Sequence, residues 1–241
     1  MGLWVCCLGS ALSAEADQRK WFLSPEIEKQ SFGGSIYLEG SPQQIARFEN
    51  WLGRIAQVPK GRQTLHSIWE SGHELIIRHS KYAVISGGRT LAPNSENLTN
   101  GKGESATVLF SAHIQDSGSH MVYNSHREMI EFTAVQNLYH ELAHAMHMMK
   151  GSWRYFASEA QAIEEENIFR RELALIQNTS VTERWGTNGV LISNVDDIFV
   201  MSEWSGPSLF KISDKRHLAG DIHQTATGTT TRAMNWHQSE R

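Results

Sequence analysis

The chain reads as an α+β protein, a small mixed or antiparallel sheet packed on one central helix, and three features of the sequence predict it. Two helical patterns follow a capping box at Ser41, short apolar runs of strand length come after them, and a second capping box at Thr133 opens a long helix. With 241 residues there is room for one well-buried domain with extensions, not for a second large domain. The expected limits are an N-terminal segment over 1–31, the folded domain over 32–218 and a disordered tail over 219–241. A monomer is expected.

The first sixteen residues, "MGLWVCCLGSALSAEA", are apolar over too short a run to cross a bilayer. They support a signal peptide with the small-residue site Ala14-Glu15-Ala16, although no Lys or Arg precedes the apolar run. They also support acylation of Gly2, after loss of Met1, together with Cys6 or Cys7, although Cys6 stands where Ser or Thr is preferred. Two acyl chains would attach the protein to a membrane, whereas one gives only marginal binding. An unmodified apolar start is the third reading.

Residues 17–35 read as a lead-in. Ser41 as cap, Pro42 at the first helical position and Gln44 three residues after the cap then open a helix in which Ile45, Phe48, Leu52 and Ile55 face the core. A second helix, about 61–71, sets Leu65, Ile68 and Trp69 on one side and stops at Ser71-Gly72. Residues 73–79 read as a strand, 86–105 as a Gly/Asn/Ser-rich loop without regular structure, and 106–112 and 120–124 as two more strands. The helix capped by Thr133 and Gln136 runs to Lys150-Gly151, a basic last turn followed by a glycine stop. Another helix spans about 158–175, and "GVLIS" and "DIFVM" have strand character.

Composition excludes several functions. A formal net charge of -4 offers no basic field for nucleic acid. Cys6 and Cys7 are the only cysteines, so the body of the chain has neither a disulfide framework nor a cysteine-based zinc site. Any metal there must be held by histidine and carboxylate.

The central helix offers such ligands. His140-Glu141-Leu142-Ala143-His144 is an H-E-x-x-H pattern, whose two histidines stand one helical turn apart and can reach one tetrahedral Zn²⁺. Glu141 then directs its carboxylate at the water to be activated, as a general base. The bare pattern arises by chance in roughly 1 in 20 chains of this composition. Its position in a capped helix, with Val135, Leu138, Leu142, Ala145, Met146 and Met149 as an apolar face, favours the metal reading over a solvent-facing histidine pair. The earlier "HELIIRH" at 73–79 is a decoy, because Ile77 stands where a second ligand is needed.

His147 lies one turn past His144, but a straight helix cannot wrap three imidazoles around one tetrahedral ion and leave a water site. It is expected behind the ligands or at the surface. A third ligand is sought in "SEAQAIEEEN" at 158–167. Glu159 and Glu166 share a helix face with Ala162 and Ile163, so that face looks inward, and an inward carboxylate needs a partner. Glu159 is the expected ligand, Glu166 a supporting partner and Glu164 the alternative ligand.

Residues "IYLEGSPQQIARFENWLGRIAQVPKGRQTLHSIWESGHELII", "YHELAHAMHMMKG" and "EAQAIEEENIFRREL" together resemble the NleD-like type III effector metallopeptidases and the related toxin domains at the ends of Rhs proteins. The resemblance covers roughly residues 35–175. It implies a zincin-like fold and a zinc endopeptidase in which His140, His144 and Glu159 are ligands and Glu141 is catalytic. It also implies secretion by a bacterium into a host cell, with host MAP kinases cut in their activation loop. The location would be the host cytoplasm, or the host plasma membrane if the N-terminus is acylated.

Two alternatives stand beside this: a Rhs-like toxin peptidase with another protein substrate, and a zinc-stabilised module that binds a host protein without cutting it. Peptide deformylase shares the helix motif but needs a cysteine ligand. An extended substrate is expected to pair with strand 106–112 or 120–124. Arg154, Tyr155, Arg170 and Arg171 are open candidates for the oxyanion donor.

Overall fold

The computed structural model describes residues 17–21, 34–83, 87–187, 189–195 and 198–204. In chain order the elements are β1 (Asp17–Trp21), β2 (Ser35–Gly40), α1 (Pro42–Gln57), α2 (Pro59–Glu70), β3 (Glu74–His79), β4 (Gly88–Leu91), a 3₁₀ turn (Glu96–Leu98), β5 (Ala106–Phe110), β6 (His120–Tyr123) and β7 (Met129–Glu131). Helix α3 (Ala134–Met149), a second 3₁₀ turn (Tyr155–Ala157), α4 (Ser158–Gln177), β8 (Gly189–Val195) and β9 (Ile198–Trp204) follow. Among the described residues, four helices and a small mixed sheet make the expected α+β architecture, with a second sheet added.

The first sheet has the order β1-β2-β3-β5-β4. The pairs β2–β3 and β3–β5 are parallel, while β1 and β4 run antiparallel at the two edges. A parallel pair needs a long crossover, and α1 with α2 supplies the one between β2 and β3. Register aligns the buried side chains in rows: Ile36 beside Leu75 beside Ala106, and Leu38 beside Ile77 beside Val108. The intervening residues, Tyr37, Ile76 and Thr107, point to the other face, as the two-residue repeat of a strand requires. The second sheet, β7-β6-β8-β9, is antiparallel throughout.

Both capping boxes form, Ser41 with Gln44 at α1 and Thr133 with Gln136 at α3. The apolar stripes fall where the spacing puts them. Ile45, Phe48, Leu52 and Ile55 of α1, Leu65, Ile68 and Trp69 of α2 and the six apolar residues of α3 enter one core cluster. Helix α3 is more enclosed than an amphipathic surface helix, with 14 of its 16 residues buried, because α4 and β4 cover the face that carries the histidines. Tyr139 anchors it, stacked on Phe169 of α4 at 4.1 Å and hydrogen-bonded to Thr64 of α2 at 3.0 Å.

Three stretches depart from expectation. The lead-in at 17–35 contains β1 and the start of β2, which pair with each other. The presumed loop at 86–105 contains β4 and the first 3₁₀ turn. Strand β4 is four residues with a glycine, a weak local signal, and it owes its form to pairing with β5. Finally, neither strand expected to receive substrate has a free edge: β5 lies between β3 and β4, and β6 between β7 and β8. The free edge beside α3 belongs to β4. Gly2, Cys6, Cys7 and the 219–241 tail lie outside the described residues. Among those described, no helix is long and apolar enough to cross a membrane.

Candidate metal centre

One helical turn separates His140 from His144, and their Nε2 atoms converge to 3.1 Å. Glu159, in the first turn of α4, reaches both: Oε2 is 3.4 Å from Nε2 of His140, and Oε1 is 3.3 Å from Nε2 of His144. The structure thus brings together the three residues expected as ligands, two of them buried and Glu159 partly open to solvent.

Does a metal ion fit? Histidine nitrogens and a carboxylate oxygen bind zinc at about 2.0–2.1 Å, and the edge of such a tetrahedron is about 3.3 Å. The His140–His144 separation falls close to that edge, and each imidazole nitrogen lies about as far from one of the two Glu159 oxygens. Chemistry agrees with geometry, because two imidazoles and a carboxylate are a donor set that a metal ion can share. Burial opposes a charged His140, yet Glu159 and Glu166 raise its pKa to about 9. Burial likewise opposes a charged Glu159, yet His144 and His140 hold its carboxyl well below the usual range. The pocket favours positive charge at the point where the ligands meet.

Behind the ligands lies a buried ionic network. His140 donates from Nδ1 to Oε2 of Glu166 at 3.0 Å, so Nε2 is the nitrogen turned toward His144 and Glu159. Glu166 is fully buried and accepts from Arg170 Nε at 2.6 Å and Arg184 Nη1 at 3.1 Å. Burial would raise its pKa, but the two guanidinium groups hold it far below the ordinary carboxylate range. Both guanidinium groups also lie over the ring of Phe132, which meets His140 edge-on. On the other side, Trp153 packs against His144 with ring centres 5.4 Å apart.

Glu141 is buried and turned toward β4. Its Oε2 accepts from Thr90 Oγ1 at 2.7 Å, and its backbone carbonyl accepts from the same hydroxyl at 2.9 Å.

Several candidates fall away. Glu164 is 69% exposed and faces Arg154, so it is no alternative ligand. His147 takes no part in the ligand group; Ser152, Gln161 and Glu165 surround it, so it ties α3 to α4 and the loop between them. Arg170 is committed to Glu166 and to the carbonyl of Glu131, and Arg171 pairs with Glu183 at the surface. Tyr155 stands exposed in the turn that leads into α4, four residues before Glu159.

The Peptidase M91 family model, described as effector protein, matches residues 33–175. The chain belongs to this family. Membership supports an effector that is a peptidase. The span of this M91 effector that matches holds His140, Glu141, His144, Glu159 and Glu166, whereas Arg184 lies beyond it. No curated protein matches the chain. Two contributors to the M91 site escaped the sequence reading. Thr90 sits in a stretch with no strand periodicity, and Arg184 follows α4 in an irregular segment where no repeat relates it to Glu166.

Proposed function

We propose that this M91 effector is a zinc metalloendopeptidase of zincin-like fold. His140, His144 and Glu159 hold the ion and Glu141 is the general base. One observation carries the proposal: the Nε2 atoms of two histidines and the carboxylate of Glu159 converge at 3.1–3.4 Å, beside Glu141 on the helix that bears the histidines. Two imidazoles and a carboxylate suit zinc.

When bound, zinc polarises the scissile carbonyl as a Lewis acid. Glu141 takes the proton from the attacking water and later delivers it to the leaving amine. Glu166 and its arginines hold His140 in the tautomer that keeps Nε2 free. The free edge of β4, antiparallel to β5 and packed along α3, suits an extended substrate that adds as a further strand.

The resemblance to NleD-like effectors extends the proposal to substrate and place: a host signalling protein, cut in a MAP kinase activation loop, in the host cytoplasm or at the host plasma membrane. Mapping of new protein termini in host cells that express wild type or Glu141→Ala tests this. New termini in MAP kinases only with wild type are the expected result. Identical termini with both forms exclude Glu141 as the base, and termini confined to other proteins exclude the kinase assignment.

A further inference from the structure

The ion fixes its ligands, but Glu141 is not a ligand, so its direction must come from the protein. Two residues of β4 face it. Thr90 Oγ1 lies 2.7 Å from Glu141 Oε2 and 2.9 Å from the Glu141 carbonyl oxygen. Gly88 lies two residues earlier and so on the same face of the strand. A Cβ at Gly88 would meet Glu141 Cγ at 2.6 Å and Oε1 at 3.0 Å. The side chain of Glu141 therefore occupies the space that any residue larger than glycine would fill.

We infer that Thr90 is a positioning residue for the general base, with Gly88 as the cradle for its stem. This rests on the role proposed for Glu141. A hydroxyl has one proton, and the carboxylate oxygen is both the nearer acceptor and the charged one, so the stronger share of the hydrogen bond goes to Oε2. That commits Oε2 and leaves Oε1 as the oxygen for proton transfer. The consequence reaches the substrate, because the strand that offers its free edge to an extended peptide also aims the base. Strand addition and base alignment share one element, and a peptide that shifts β4 shifts Glu141 with it.

The test uses zinc-loaded, full-length protein and a synthetic peptide that spans a cleavage site mapped in cells. Thr90→Val keeps the β-branched shape without the hydroxyl. It should lower kcat about tenfold to hundredfold, the effect of losing a hydrogen bond to a charged group. KM should stay within about twofold, since binding of the ground state is untouched. Bound zinc should remain at the wild-type stoichiometry, and Thr90→Ser should restore most of the rate. Gly88→Ala should lower kcat in the same way and keeps the test open if Thr90→Val does not fold. A wild-type kcat in both Thr90→Val and Gly88→Ala, with Glu141→Gln inactive, overturns the inference and leaves the base intact. So does zinc loss from Thr90→Val, or no rescue by Thr90→Ser. Full activity of Glu141→Gln overturns the base assignment and the inference together.

Discussion

Glu166 shows how a residue that is not among the three convergent donors can still be tied to them, through His140. It is fully buried and ionised, and two turns of α4 separate it from Glu159, so the two carboxylates reach opposite nitrogens of one imidazole. Its charge is tolerable only because Arg170 and Arg184 surround it. Arg184→Met removes one of these and leaves a buried carboxylate half-compensated, which frees Glu166 to pull on His140 differently or to protonate. The expected outcome is zinc affinity lower by about tenfold to hundredfold, the usual penalty for losing a group that supports a metal ligand. Competition with a chromophoric chelator measures it, and an unchanged dissociation constant would remove Arg184 from the site. The three convergent residues were legible because they lie on two helices, where fixed spacings of four and seven residues translate into shared faces. Arg184 was not, since its approach to Glu166 is set by the path of an irregular segment.

At the scale of elements, the helices were readable because caps and apolar stripes act locally, while β1, β4 and β7 exist through their partners. The same difference governs how the elements are held. The loop after β4 clamps the end of α3 by backbone contact: Gly101 donates to the Gly151 carbonyl, and Glu104 to that of Met148. Gly151 has φ +64°, and a Cβ there would meet the Asn97 oxygen at 2.6 Å. Gly151→Ala therefore adds a backbone clash to left-handed strain and should cost roughly 2–5 kcal/mol. Gly72→Ala, at a similar φ of +77° but in open space, should cost only about 1–2 kcal/mol. Urea titrations of the two variants compare them, and equal losses would dismiss the clamp. Helices α2, α3 and α4 also meet at Glu165, which pairs with Lys60 and faces His147. His147, 3.6 Å away, against the effect of burial and with help from Lys60, lowers the Glu165 pKa to about 2 from an ordinary value of 4.5. A depressed folded-state pKa gives stability that is complete above pH 4.5 and is lost as pH falls toward 2. The stability gap between wild type and Glu165→Gln should accordingly narrow between pH 6 and pH 3. A gap that widens on acidification reverses the assignment.

For the whole molecule, the metal site is the junction at which the separately readable parts are joined. The three convergent residues come from α3 and α4, their outer support from α4 and the segment that follows, and Glu141, the proposed base, is held by an edge strand of the first sheet. In the unfolded chain His140 and His144 stay close but Glu159 is not held beside them, so zinc bound as proposed would favour the folded state and stabilise it by mass action. With free zinc at a thousandfold excess over its dissociation constant, the gain is about 4 kcal/mol. For a domain of this size each kcal/mol raises Tm by about 2–4 °C, so the melting point should rise by roughly 8–16 °C over the chelator-treated protein. Variants separate structure from catalysis in the same measurement. Glu141→Gln should keep the full rise, since the base holds no metal, and Glu164→Gln should keep it because that side chain points to solvent. Glu159→Gln should lose most of it. A melting point indifferent to zinc and chelator would mean that the three convergent residues bind no ion. Retention of the shift by Glu159→Gln would mean that the two histidines bind without it, and that α4 meets α3 through packing and the Glu166 network alone.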